Sequence, residues 1–440
     1  MQKTVLSFAI PVLVTNLLMG LVTLFSLNIT ASHSKVLTAA FALGNNLYLV
    51  YIGFLAGITA ATISYFASSK TDEAESLAKS LICGIILTTP ILLFFPFCQQ
   101  IYYHLAKASI NIYTQTDLYL SIIKWVLPFA TLNYSLSAYL IFKKKNWDLL
   151  KLNIQALVFS LLFLFIIRTY ITSATLSIQM IALSLLLSSI LLFILLLRYI
   201  HLYHIKFSAL INSIPLSKIS NGMDKIISNA FYSGGQIFLL VSSLAILLTL
   251  SAQINTESVS VMAALLTINR LFILPSKSFG TAVGALAAKE YSQDNYEQGN
   301  KLLVAGIKVL SYFIIPIAAL MIIKPALILN YFCPKSTLVS SSYSAVRVAG
   351  LALMFEPLAG FLSNALKTQG MAKLIFISTL YQWLVTIPLS WYFGVHQSYG
   401  IIAIWLSILS FRVLLALSCI IIWKKNFTTA HYKIYDTKSK

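Results

Sequence analysis

Apolar residues in this chain run in long unbroken blocks separated by short polar stretches, and they do not alternate with polar ones. Blocks of about 20 residues or more are what a helix needs to cross a hydrocarbon layer about 30 Å thick. Lipid offers the backbone no hydrogen-bond partner, so a spanning segment must be a helix or part of a closed barrel. Uniform runs such as LLLSSILLFILLL (185–197) lack the period-two pattern of a barrel strand. The pattern predicts twelve helices, over 5–29, 38–66, 78–105, 117–142, 149–172, 176–204, 226–250, 259–288, 302–331, 338–366, 373–395 and 399–423. The fold class expected is an all-α polytopic membrane protein. Several blocks exceed one crossing, which implies tilt or interfacial ends.

Composition agrees. The 440 residues are 59% hydrophobic and 10% charged, with a mean hydropathy of +0.85, which excludes a soluble globular enzyme. The net charge of +19 raises nucleic acid as a partner, but its placement points to membrane topology. Most Lys and Arg fall on the N-terminus, the even-to-odd connections and the tail, including Lys143, Lys144, Lys145, Lys424 and Lys425. The opposite side holds Lys35, Lys107, Arg168, Lys324 and Lys335. The positive-inside rule then puts both termini in the cytoplasm, and the membrane expected is the plasma (inner) membrane. The partner implied is the anionic inner leaflet, not nucleic acid. Met1 leads into a spanning block rather than a cleavable leader. Cys83, Cys98, Cys333 and Cys419 have no metal-ligand spacing and read as apolar fillers.

The connection over 206–225 is basic and polar, and it divides the chain into 1–205 and 226–423, with a basic tail at 424–440. The halves echo each other. GITAATISYFASSKTDEAESLAKSLICG (57–84) and GTAVGALAAKEYSQDNYEQGNKLLVAG (280–306) share an intrahelical Gly, small residues, an acid-and-Ser/Asn loop, a Lys and a closing Gly. Six helices repeated in parallel are a transporter architecture.

Further segments carry a family resemblance. Pro11 is followed by a run ending TAAFALGNN, FILPSKSFGTAVGALA lies in the eighth predicted helix, and NALKTQGMAK ends the tenth. With these the chain resembles the multidrug and toxic compound extrusion (MATE) family of cation-coupled exporters, over essentially its whole length. The resemblance implies two six-helix lobes related by a pseudo-two-fold axis, arranged as a V around a central cavity that opens alternately to each side.

Among acidic residues only Glu356 lies deep in a predicted span. It precedes Lys367 by eleven residues, about 16 Å at 1.5 Å per residue, which is close to the midplane. An ionised carboxylate there is expensive unless paired, hydrated or protonated. Pro357 removes an N–H and frees the carbonyl of Leu353, so carboxylate and carbonyl together suit a hard cation or a proton. Counted back from the LKTQG turn, Glu356 also falls where sodium-coupled relatives in the resembled family place an acidic ligand. The competing reading is a structural ion pair with Arg412, Arg270 or Lys277.

The resemblance has gaps. Many members carry an Asp fifteen residues after the first-helix proline, and here that position is Ser26. Asn16, Ser26 and Asn28 are cavity candidates or simply bind helices together. Gln236 stands near a position where relatives often carry Glu, and it could offer an oxygen ligand without charge. Lys124, in SIIKWVLP, either lines a cavity or reaches outward to the interface. Arg270, Lys277 and Arg412 complete the cavity candidates. His201 and His204 have no acidic or thiol neighbour in sequence and read as part of an interfacial aromatic belt.

These features point to a monomeric cation antiporter, driven by Na⁺ or H⁺ and without an organic cofactor, that expels organic, cationic or amphipathic solutes. An alternative is a lipid-linked saccharide flippase of the wider superfamily, its deep basic residues holding a pyrophosphate. A non-transporting membrane scaffold is the third reading. No glycine-rich phosphate loop and no paired catalytic groups at depth support an enzyme.

Overall fold

Proline and glycine decide where the long apolar blocks bend. The computed structural model describes residues 1–69, 72–106, 110–171, 173–212, 222–254, 256–332 and 340–428, and every regular element among them is helical. In chain order these are α1 (Gln2–His33), α2 (Lys35–Leu55), α3 (Gly57–Ser68), α4 (Glu73–Ala106), α5 (Ile110–Ile123), α6 (Val126–Phe142), α7 (Asn146–Tyr170), α8 (Ala174–Tyr203) and α9 (Phe207–Asn212). There follow α10 (Met223–Ile254), α11 (Thr256–Ser292), α12 (Tyr296–Ile323), α13 (Pro325–Phe332), α14 (Ser340–Met354), α15 (Leu362–Thr368), α16 (Ala372–Trp391) and α17 (Ile401–Trp423). Widened π-helical turns occupy Pro357–Phe361, Tyr392–His396 and Lys424–Thr428.

All twelve predicted spans fall on helix, but some are broken. The block 117–142 becomes α5 and α6, bent by 44° at Lys124–Trp125. Pro128 is the cause: it has no N–H for the carbonyl of Lys124, which accepts instead from Leu127 at 3.2 Å. The block 38–66 breaks at Ala56, 302–331 at Lys324 before Pro325, and 338–366 at Glu356 before Pro357. Among the described residues ten helices are long and apolar enough to cross a membrane, eleven if the bent pair is one span. α11 is 37 residues long but more polar, with Arg270 and Lys277 inside it. Large apolar side chains are exposed in mid-helix, such as Leu93 at 73% and Leu162 at 60%, as expected where hydrocarbon is the solvent.

The helices form two compact units. One runs from Val14 to Gly234. Its core gathers Val22, Ile29, Phe41, Tyr119, Leu164 and Ile181, with Phe41 edge-on to Tyr119 at 5.4 Å. A second cluster joins Ile58, Ala61, Tyr65 and Cys83 to Ile226 and Ala230 of α10. That is why the unit extends past the 206–225 connection. A Cβ added to Gly57 would come within 2.4 Å of the Ala230 carbonyl and the Gly234 nitrogen, so α3 and α10 cross backbone to backbone.

The other unit comprises Met1–Leu13 and Gly235–Lys440. Its interior holds Leu303, Ile314, Phe361, Leu366 and Trp405, all nearly fully buried. α11 packs closely on the π-turn and α15. A Cβ on Gly280 would meet the Phe361 carbonyl at 2.6 Å, and one on Gly284 would meet Ala365 Cα at 2.6 Å. This crossing sets the helix that bears Ser276 and Lys277 against the one that bears Glu356 and Lys367.

Candidate functional site

The break at Pro357 builds the site. Without an N–H, Pro357 cannot serve the carbonyl of Leu353, and the N–H groups of Leu358 and Ala359 both turn to Phe355, at 3.0 and 2.8 Å. The chain widens into the π-turn, a form often found at functional positions. Glu356 stands at its start, 1% exposed. Gly360, one turn on, leaves room for the side chain: a Cβ there would lie 1.8 Å from Glu356 Oε1.

Arg412 of α17 donates from Nη1 to Glu356 Oε2, forming a buried ion pair. Of the three cations expected as its partner, Arg412 is the one paired with it among the described residues. Ser276 of α11 donates its hydroxyl to the Phe272 carbonyl of its own helix at 3.1 Å, and its Cβ borders Gly360 at the same turn. Three elements thus converge on Glu356, and its charge is balanced inside the unit. Leu353 is 4% exposed, and Pro357 leaves its carbonyl without the usual donor.

Gln236 does not share those partners. Its Oε1 accepts from Lys367 Nζ at 2.6 Å, and its Nε2 is buried without a hydrogen-bond partner among the described residues. Lys367, in the last turn of α15, is only 2% exposed. Lys277 is half-buried, makes no ion pair among the described residues, and lies within electrostatic reach of Lys367. The side chain of Arg270 lies outside the described set.

The candidates of the Val14–Gly234 unit lie elsewhere. Ser26 is fully buried and donates to the Val22 carbonyl of its own helix at 2.9 Å. Asn28 is exposed, and Asn16 is half-buried and partnered. Lys124 sits at the α5–α6 bend, its ammonium 5.8 Å from the Trp125 ring centroid. It lines a cavity of about 640 Å³ with Gln99, Tyr113, Asp117 and Ser121, where Gln99 donates to Asp117. His204 lies against Tyr139 and Tyr199, within an aromatic cluster at the end of α8.

Sequence reasoning missed Lys367 and Ser276. A lysine beside a turn motif looks solvated, and one serine among many carries no signal of its own. Only the α11–α15 crossing brings either to the site.

Residues 233–392 match the family model MatE. No curated protein matches the chain. Among solved structures, a multidrug resistance MATE family transporter of the MOP superfamily in an outward-facing conformation is 16% identical, with a TM-score of 0.83 over 97% of this chain and 96% of that one. A MOP superfamily transporter from Pyrococcus furiosus Vc1, described as having a binding pocket of reversed polarity, is 16% identical, with a TM-score of 0.82 over 97% and 96%. The eukaryotic MATE transporter AtDTX14 is 14% identical, with a TM-score of 0.81 over 98% of both chains. At such identities the likeness is one of fold, and the family signature lies in residues 233–392, the stretch that carries Gln236, Lys277, Glu356 and Lys367. Residues 233–392 thus match the MatE family model, and the chain as a whole has the fold of the MATE and MOP superfamily transporters it resembles.

Proposed function

We propose that the chain is a secondary active exporter that works by alternating access, expelling an organic amphipathic or cationic solute while Na⁺ or H⁺ enters. The observation that carries this reading is the buried Glu356–Arg412 pair at the π-turn. A carboxylate already balanced by a tethered guanidinium can bind an external cation or a proton only by releasing Arg412. That exchange couples ion binding to a change of contact between α17 and the turn. An ion that binds one arrangement better than the other shifts the balance by its differential affinity alone. The freed carbonyl of Leu353 would add an oxygen ligand, and Gln236 would add another only after leaving Lys367. In this reading the protein is a monomer in the plasma (inner) membrane with both termini cytoplasmic, its basic loops on the anionic leaflet.

The test is efflux of a cationic dye from proteoliposomes under an imposed Na⁺ or H⁺ gradient. The natural chain should respond to one of them, and Glu356→Gln should lose that response. An unaltered gradient dependence in Glu356→Gln removes the carboxylate from coupling. A second reading, a flippase for lipid-linked saccharides, is favoured by one feature: Lys277 is half-buried and makes no ion pair among the described residues. Gradient-independent movement of a lipid-linked substrate in the same vesicles would select it.

A further inference from the structure

We propose that the cavity between α4 and α5 binds a short zwitterionic peptide, its ammonium on Asp117 and its carboxylate on Lys124. The cavity holds about 640 Å³, within the roughly 300–1,000 Å³ usual for small-molecule sites, and lies wholly in the Val14–Gly234 unit. α4 contributes Gln99 and Gln100, and α5 contributes Tyr113, Asp117, Ser121 and Lys124. The four α5 residues recur at intervals of three or four, so a single helix face lines the cavity. Phe95 and Leu120, both buried, add an apolar floor. Asp117 and Ser121 are exposed, so a solute can enter the folded chain.

One carboxylate and one ammonium border this space without neutralising each other. Lys124 makes no ion pair among the described residues, and its ammonium stands 5.8 Å from the Trp125 ring centroid. Asp117 accepts from the Gln99 amide, which orients the carboxylate without cancelling its charge. A carboxylate has about four acceptor sites, so it can take an ammonium as well. A lining with one charge of each sign favours a ligand with one of each. Lys124 would repel an organic cation, and Asp117 would repel an anion. The spacing then selects among zwitterions. Asp117 and Lys124 are seven residues apart on α5, about 10.5 Å at 1.5 Å per residue. An extended peptide advances about 3.3–3.6 Å per residue, so three residues with free termini span that length and a single amino acid does not. Glu356 lies in the other unit, so the site neither requires the export reading nor tests it.

The full chain is reconstituted in phosphatidylcholine nanodiscs and titrated calorimetrically with trialanine, alanine, N-acetyl-trialanine and trialanine amide. In the natural chain trialanine should bind at least tenfold more tightly than alanine or either capped peptide. Lys124→Gln should weaken trialanine to the level of its amide, because the carboxylate no longer has a partner, and should keep the penalty for acetylation. Asp117→Asn should do the reverse, erasing the penalty for acetylation and keeping that for the amide. A residue that only supports the fold would weaken all four probes alike. No binding of trialanine, equal binding of the capped peptides or of alanine, or end preferences unchanged in both variants overturns the site.

Discussion

Glu356 and Arg412 show what a buried charge demands. Removing one partner strands the other, and such losses cost about 3–5 kcal/mol, more than the pair itself contributes. Arg412→Leu is therefore expected to lower thermal stability sharply in detergent, and Glu356→Gln in the same chain should restore most of it. Two independent, additive losses would contradict the pairing. Gly360→Ala probes the same contact from the backbone, since its Cβ would fall 1.8 Å from Glu356 Oε1. Overpacking of this kind costs about 1–3 kcal/mol. The loss should shrink in a Glu356→Ala background, as seen by thermal unfolding. Outside the membrane-spanning segments, burial lowers the pKa of His204 from its ordinary 6.5, assisted by Lys143 and Lys145. Its neutral form is thus favoured in the fold, so its contribution is intact above about pH 6.5 and declines as the pH falls through the lowered value. A pH series of unfolding temperatures should show this decline in the natural chain, and His204→Phe should flatten it.

Helix crossings follow the same logic at the next scale. α3 meets α10 with no side chain between them: Gly57 faces the Ala230 carbonyl and Gly234, and Gly234 faces the Phe54 carbonyl at 2.1 Å from an ideal Cβ. Apolar burial does not drive helices together in lipid, so close backbone packing must. Gly234→Ala is expected to force the helices apart and cut the yield of monodisperse protein, measured by size exclusion in mild detergent. Gly20→Ala, where an added Cβ meets nothing within 4 Å, should be tolerated. The broken elements carry a further lesson. The bend at Lys124 and the π-turn at Glu356 each lie within four residues before a proline, and each sets a charged residue at the irregular turn. Proline thereby fixes both the path of the chain and the place of its polar chemistry.

For the whole molecule, the sidedness of Lys and Arg predicts an orientation: the positive-inside rule is expected to put the basic tail and the Lys143–Lys145 turn on the cytoplasmic side. A green fluorescent protein fused after Lys440 should fluoresce, and alkaline phosphatase fused there should stay inactive. The reverse pattern would overturn the orientation on which the assignment of inner and outer ends depends.

Helical class, approximate span positions and family resemblance were legible in the sequence because they rest on local quantities: the length of apolar runs, the places of Pro and Gly, and the sidedness of Lys and Arg. Glu356 was legible for the same reason, as a charge within an apolar block. Its partner was not. Arg412, Arg270 and Lys277 were equivalent along the chain, and the choice required the packing of α17 against the π-turn. The burial of Lys367 and its bond to Gln236, 131 residues away, were equally hidden. Periodicity reports which residues must avoid water, whereas which buried charges meet depends on helix crossings that small residues permit and proline bends redirect.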